Sequence, residues 1–205
     1  MLHRRRVLSA AALAPLALLL PGGLRAQDAA DRLIVPNERV GLVRKTTKPA
    51  ALAELYGAAN VAAGKVPGPE GTENPGAFVF KDKPEELRVH FTEDGQRIEL
   101  VEIVAEKSPW KTREGIGIGM GVAEVEAING RPFLISGFGW DLGGQIVDTR
   151  GGKLPAVNLT FSPTRQLPDA EMNRISGDGV KVASNHPLVR KAAPRVVTVH
   201  VIFRG

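Results

Sequence analysis

The sequence predicts an α+β fold of two related units, each a short helix packed on a mainly antiparallel β-sheet. Segments with period-two alternation of apolar and polar residues outnumber segments with helical periodicity. The dipeptides Asp94-Gly95 and Gly151-Gly152 lie between such segments and indicate hairpin turns. Two short helical segments also resemble each other. Together these features favour antiparallel sheets over a doubly wound parallel sheet.

The two helical segments are residues 48–56 and 122–128, and each has an apolar face at helical spacing. The stretch LAELYG at 52–57 aligns without gaps with VEAING at 125–130. An internal duplication explains this match, and chance similarity of composition is the alternative. The duplication divides the chain into a first unit at residues 27–107 and a second at residues 108–205, packed together as one globule.

Three strands are predicted by clear alternation, and two other segments by composition. The strands cover residues 87–91, 156–161 and 196–203, and each should be half-buried with one apolar face. The Pro/Gly-rich residues 66–77 are expected to form a loop, and residues 162–179 an irregular segment with one helical turn. The side chains predicted to face the core are Leu87, Val89, Phe91, Val157, Leu159, Phe161, Val197, Val199, Val201 and Phe203.

Residues 1–26 have the composition of a secretory signal peptide. Three consecutive arginines, Arg4 to Arg6, precede an apolar run from Val7 to Leu20, and Pro21 ends it. Cleavage after Ala26 would deliver the protein to the periplasm or the medium, by either the Sec or the twin-arginine route. The sequence offers no second apolar stretch long enough for a stable membrane anchor.

Charge and cysteine content narrow the functional classes. The chain has 27 Lys+Arg and 22 Asp+Glu. Four of the arginines lie in residues 1–26, so the remainder is almost neutral and has no basic block for nucleic acid. The absence of cysteine excludes disulfides, thiolate metal ligands and a cysteine-linked lipid anchor.

The glycine-rich stretch GIGIGMG at residues 115–121 does not match a nucleotide-binding loop. No register places glycines at the first, third and sixth positions, and the Gly-Lys-Ser/Thr of a phosphate loop is missing. The alternation instead predicts a strand over residues 115–120 whose glycine face lets an aromatic ring lie close. No cofactor is expected.

The stretch GFGWDLGG at residues 137–144 is the main candidate for a binding site. Aromatic residues supply contact area at low entropy cost, and a carboxylate adds a directional acceptor. The alternative is a core motif in which the tryptophan packs inside and Asp141 caps a turn. The candidate binding residues are Trp110, Phe138, Trp140 and Asp141.

A hydrolase site is the enzymatic alternative. It would combine His186 or His90 with a nearby serine or acid, and Ser184 is the serine closest in sequence to His186. The sequence lacks the Gly-x-Ser-x-Gly elbow of many hydrolases. His90 and His200 fall on polar strand faces, where solvated side chains are expected. No metal site is predicted, because no ligand motif is present.

Residues 108–144 resemble a family of uncharacterised exported bacterial proteins. That family has Ser-x-Trp, Gly-Ile, a helix that ends in Asn-Gly, then Pro-Phe and Gly-Phe-x-Trp-Asp-x-Gly-Gly. Residues 46–57 and 194–203 of this chain are also similar to that family, so the resemblance extends over most of the chain after residue 26. It implies export and no particular activity. The matching residues are Ser108, Trp110, Gly115, Ile116, Asn129, Gly130, Pro132, Phe133, Gly137, Phe138, Trp140, Asp141, Gly143 and Gly144.

A more remote resemblance is to outer-membrane assembly lipoproteins and tandem-repeat β-lactamase inhibitor proteins. The element GMGVAEVEAING keeps their Gly-Met and its spacing, with Gly121 where threonine is usual. This resemblance implies protein binding. The expected function is therefore a non-catalytic periplasmic binding or inhibitory protein that acts on an envelope protein or a cell-wall ligand. The alternatives are an envelope-acting hydrolase and a structural envelope component.

Overall fold

The computed structural model describes residues 31–204, so the predicted signal peptide lies outside the described residues. The fold is α+β with mainly antiparallel sheets, as predicted. Short 3-10 turns precede and follow the first helix. The strands are Leu33–Val35 (β1), Arg39–Val40 (β2), Val43–Arg44 (β3), Val61–Pro67 (β4), Glu73–Val79 (β5), Leu87–Phe91 (β6), Ile98–Ile103 (β7), Lys111–Thr112 (β8), Leu134–Ser136 (β9), Ile146–Asp148 (β10), Asn158–Ser162 (β11), Lys181–Ala183 (β12) and Arg195–Ile202 (β13); the helices are Leu52–Tyr56 (α1), Val122–Asn129 (α2), Asp169–Met172 (α3) and Pro187–Ala192 (α4).

A six-stranded antiparallel sheet organises the molecule. Its order is β11-β13-β7-β6-β5-β4. Strands β4 to β7 come from the first predicted unit, and β11 and β13 come from the second, so the two parts share one sheet. A single buried cluster contains apolar side chains from both parts. The pairing of β13 with β7 joins them through a continuous ladder of backbone hydrogen bonds.

Two smaller sheets complete the fold. The first has the order β3-β2-β1-β8, and its β1–β8 pair is parallel. The second has the order β10-β9-β12 and is antiparallel. None of the helices in residues 31–204 has the length and apolar character that crossing a bilayer requires.

The predicted alternation holds in β6 and β13 except where a bulge shifts its phase. Leu87 and Val89 face the core as predicted, and the register shift in β6 comes only after His90. His90 keeps its place on the opposite face, yet it is only 4% exposed. The expectation of a solvated His90 was therefore wrong. In β13 the register shifts beside β11, so Val196 turns inward and Val197 is 40% exposed. A bulge adds one residue to one strand and moves each later side chain to the other face.

Three sequence predictions about local structure need correction. Residues 66–77 do not form a loop: β4 and β5 pair as a hairpin closed by the 3-10 turn Pro69–Gly71. Residues 115–120 do not form a strand, although their end exchanges backbone hydrogen bonds with the start of β13. Gly151 and Gly152 form a turn, but the flanking strands β10 and β11 belong to different sheets.

One glycine of the 115–121 stretch, Gly117, allows close backbone packing. A Cβ at Gly117 would stand 2.5 Å from the carbonyl oxygen of Trp110 and 2.6 Å from the side chain of Lys111. The indole of Trp110 instead packs on another glycine, Gly41, where a Cβ would be 2.8 Å from the ring. Glycine therefore makes room for Trp110 as expected, but at a position that its sequence neighbourhood does not reveal.

Candidate functional site

The connection between β9 and β10 forms a loop held by its own hydrogen bonds. The Ser136 hydroxyl donates to the carbonyl oxygen of Leu142 at 2.8 Å and accepts from the backbone N–H of Gln145 at 3.0 Å. The Trp140 indole N–H donates to the carbonyl oxygen of Gly137 at 2.8 Å. These hydrogen bonds fix the backbone of the loop.

Two of the predicted binding residues lie in the core. Trp110 is fully buried, and its indole N–H donates to the carbonyl oxygen of Glu85 at 3.1 Å. Phe138 is 3% exposed, and its backbone N–H donates to the carbonyl oxygen of Ile175 at 2.9 Å. Both rings are buried, so neither offers contact area to a partner.

The other two predicted residues lie at the surface, and the same hairpin carries two exposed apolar side chains that the sequence reasoning missed. Trp140 is half-buried and Asp141 is exposed. Leu142 is 48% exposed and Val147 on β10 is 46% exposed. We call Trp140, Asp141, Leu142 and Val147 the hairpin patch. The sequence did contain a signal for Val147. Ile146 and Val147 are consecutive in a strand, so their side chains point to opposite faces and only one of them can face the core.

Two residues of the hydrolase alternative, Ser184 and His186, form hydrogen bonds within the fold. Ser184 is fully buried; its hydroxyl accepts from the backbone N–H of Phe133 at 3.0 Å and donates to the Glu126 carboxylate. His186 is the N-cap of α4, and its Nδ1 accepts from the backbone N–H of Leu188 at 3.2 Å. Ser184 therefore joins α2 to the β12–α4 connection and is closed to a solvent-borne substrate.

Strands β6, β7 and β13 bring four polar side chains together on the face of the six-stranded sheet opposite the core. Glu102 is at the centre. Its carboxylate lies 3.1 Å from His200 Nε2, 3.7 Å from His90 Nε2 and 3.3 Å from Arg88 Nη1. Arg88 also pairs with Glu86 at 3.2 Å. The cluster spans positions far apart in the chain, so local sequence pattern could not predict it.

Burial and neighbouring charges act in opposite directions on Glu102. Burial acts to raise the pKa of its carboxyl group, but the hydrogen bond from His200, the interaction with His90 and the Arg88 charge together hold that pKa well below its usual value. The separation of 3.7 Å between His90 Nε2 and the carboxylate is too long for a hydrogen bond. His90 Nε2 is accordingly buried without a hydrogen-bond partner among the described residues.

This cluster does not form a metal site. Within residues 31–204, no group of three or more histidine, cysteine or acidic side chains is arranged to hold a metal ion. Arg88 already supplies a fixed positive charge to the Glu102 carboxylate, and it disfavours a second cation at the same oxygen. The cluster is therefore an ion-pair network across three strands.

Glu102 is expected to make the protein lose stability in mild acid. A carboxyl group with a lowered folded-state pKa stabilises the fold fully above its usual value of 4.5, and this stabilisation is lost as pH falls below that value. The free energy of unfolding of the wild type should therefore fall between roughly pH 5 and pH 3, and more steeply than that of Glu102→Gln. Urea denaturation followed by far-UV circular dichroism at several pH values measures both slopes.

The control is Glu99→Gln, because Glu99 lies on the same strand and is exposed. Its pH slope should match that of the wild type. Equal slopes in the wild type and Glu102→Gln would show that the Glu102 ion pairs contribute nothing to the pH dependence.

The predicted site residues thus fall into three separate environments. Trp110 and Phe138 are in the core, and the hairpin patch is at the surface. The residues of the hydrolase alternative have different neighbours: His90 lies beside Glu102, Ser184 bonds to Glu126 and His186 caps α4. No family model, curated protein or solved structure matches this chain.

Proposed function

We propose that the chain is a non-catalytic, exported envelope protein that binds a partner protein through the hairpin patch. One observation carries the proposal. Leu142 and Val147 have the largest exposed fractions among the large apolar side chains of residues 31–204, and both belong to the β9–β10 hairpin. Clustered exposed apolar side chains are typical of interaction sites, whereas isolated ones are common on any surface.

The loop is built to bind with little loss of entropy. Its backbone is tied by the Ser136 and Trp140 hydrogen bonds, so the apolar side chains project from a fixed frame. Tryptophan and leucine provide the contact area, and the exposed Asp141 carboxylate provides a polar group at the margin. This combination resembles the apolar centre and polar rim of a protein interface.

The sequence supports an envelope location and a binding role. The composition of residues 1–26 supports export, and the resemblance of residues 108–144 to exported bacterial proteins points the same way. The remote resemblance to assembly lipoproteins and inhibitor proteins favours protein over cell-wall ligands as the partner. Ser184, the serine named for the hydrolase alternative, is buried and closed to a substrate.

Changing the hairpin patch should abolish partner capture without unfolding the protein. In the double variant Leu142→Ser, Val147→Thr, both side chains are exposed, and we expect the free energy of unfolding to change by no more than about 0.5 kcal/mol each. Biotinylated wild type and variant would be incubated with periplasmic extract, cross-linked and compared by quantitative mass spectrometry. A specific partner should be recovered with the wild type and be reduced about tenfold or more with the variant.

Val197→Thr is the matched control, because Val197 is an exposed strand valine outside the hairpin. It should capture the same partner as the wild type. If the double variant and Val197→Thr retain the same proteins in the same amounts, the hairpin patch is not the binding surface and the proposal fails.

A further inference from the structure

Strand β4 is an open edge of the six-stranded sheet. It pairs with β5 from Val61↔Val79 to Pro67↔Glu73 and is the last strand in the sheet order. Within residues 31–204 no strand pairs with its other side. Such an edge presents a row of backbone N–H and C=O groups that can pair with another chain.

The hydrogen-bond pattern shows which backbone groups point outward. Paired residues in an antiparallel ladder alternate between hydrogen-bonded and non-bonded positions. The Phe80 N–H donates to the carbonyl oxygen of Asn60 at 2.8 Å, which makes that position a bonded one. Counting from Asn60, every second residue of β4 is hydrogen-bonded to β5, so Lys65 occupies a non-bonded position. This agrees with Pro75, which stands opposite Lys65 and has no N–H to donate. The residues whose N–H and C=O groups point away from β5 are therefore Val61, Ala63 and Lys65.

The side chains along this edge leave room for an added strand. Ala62, Ala63 and Gly64 are consecutive, exposed and small. Natural edge strands are commonly protected by lysine or proline. In β4 these residues occur only toward the far end, as Lys65 and Pro67. The first half of the strand is therefore accessible to a partner backbone.

A small cavity with two lysines lies at the accessible end. It has a volume of about 110 Å³ and is lined in part by Asn60, Phe80, Lys81 and Lys83. Both of its charged lining residues are lysines. The Lys83 ammonium group donates to Asn60 Oδ1 at 3.4 Å, and that of Lys81 lies 5.0 Å from the Phe78 ring centroid. A carboxylate placed here would meet two positive charges.

The turn that carries these lysines has an unusual backbone. Phe80 has φ 55° and Asp82 has φ 61°, which is the left-handed region that few residues other than glycine adopt. The Phe80 ring packs edge-on against Tyr56 at a centroid distance of 5.4 Å. Backbone strain of this kind persists where the surrounding structure holds it, and it occurs often in ligand-binding segments.

We propose that the outer edge of β4 binds an extended acidic segment of a partner protein as a seventh strand. The segment pairs with the outward groups of Val61, Ala63 and Lys65, and its carboxylate side chain lies between Lys81 and Lys83. Backbone pairing provides affinity, and the lysines provide the selectivity for acidic residues. This site is separate from the hairpin patch and does not rest on the function proposed for it.

A second copy of the chain fits this edge less well than a foreign peptide. An antiparallel pair of β4 strands centred on Gly64 would place Pro67 of one copy opposite Val61 of the other. Pro67 has no N–H to donate, so the pairing would lose a hydrogen bond at each end. The lysines beside Val61 also call for an acidic partner.

The test measures binding of a defined peptide by fluorescence anisotropy. The peptide alternates threonine with valine, ends in two glutamates and carries fluorescein; its matched control has glutamines in place of the glutamates. We expect the acidic peptide to bind the wild type roughly tenfold more tightly than the control peptide, and less tightly in high salt. The variant Lys81→Gln, Lys83→Gln should lose about that tenfold preference, whereas Lys107→Gln, Lys153→Gln should keep it because both lysines are exposed elsewhere.

A backbone variant tests the edge itself. Ala63→Pro removes an outward N–H but no bond to β5, so circular dichroism should be unchanged and peptide binding roughly tenfold weaker. The variant Leu142→Ser, Val147→Thr should bind the peptide normally, which separates this site from the hairpin patch. Absence of peptide binding at millimolar concentration, or equal binding by Ala63→Pro, would overturn the proposal. So would a wild-type dimer in analytical ultracentrifugation that Ala63→Pro dissociates, because a second copy would then occupy the edge.

Discussion

Trp110→Ala is expected to lower the free energy of unfolding by about 3–5 kcal/mol. The side chain is fully buried, so its removal leaves a large cavity next to Gly41. The carbonyl oxygen of Glu85 also loses the hydrogen bond that the indole N–H donates at 3.1 Å. Urea denaturation followed by far-UV circular dichroism measures the change, with the slope of the transition checked against the wild type.

Trp140→Ala is the matched comparison, because Trp140 is the other tryptophan and is only half-buried. Its loss removes less contact area and the single hydrogen bond to Gly137. We expect it to cost about 1–2 kcal/mol. Equal losses for the two variants would mean that Trp110 does not have the core role that its burial indicates.

Gly144→Ala is expected to cost roughly 2–5 kcal/mol, for two reasons. Gly144 has φ +75°, where an alanine costs roughly 1–2 kcal/mol. An added Cβ would also overlap the carbonyl oxygen of Phe161, and relief of such overpacking costs roughly 1–3 kcal/mol more. The same backbone contact carries the hydrogen bond from the Phe161 N–H to the Gly144 carbonyl oxygen at 2.8 Å. The substitution should therefore loosen the link between the hairpin and the six-stranded sheet, and chemical denaturation measures it.

Gly151→Ala separates the two contributions. Gly151 has φ +71°, close to that of Gly144, but no atom lies within 4 Å of a Cβ built there. It should lose only the roughly 1–2 kcal/mol of the left-handed conformation. If both variants lose the same stability, the close approach of Gly144 to Phe161 adds nothing.

The Gly-Phe-x-Trp-Asp-x-Gly-Gly stretch at residues 137–144 contains both core and surface side chains. The core interpretation and the recognition interpretation place its side chains differently, and the structure divides these side chains between core and surface. Phe138 is in the core, whereas Trp140 and Asp141 reach the surface. Sequence alone could not make this division, because the loop has no repeating period that assigns each side chain to a face.

Helices α1 and α2 and strands β6, β11 and β13 were predictable because their signals are local, whereas helix α4 was not predicted. Helix α2 begins at Val122 and ends before Gly130, whose left-handed conformation closes it. The register shift that exposes Val197 was not predictable, because β13 pairs with β11 from a distant part of the chain. The hairpin of β4 and β5 was hidden by its prolines and glycines, which occur more often in loops.

By itself the sequence determined the fold class and excluded cysteine chemistry, because alternation and composition are properties of neighbouring residues. Only the tertiary structure decided the sites. It buried Ser184 beneath α2, gathered Glu102 with His90 and His200 across three strands, and left β4 at an open edge. These outcomes depend on which strands pair, and strand pairing joins residues that the chain separates by many positions.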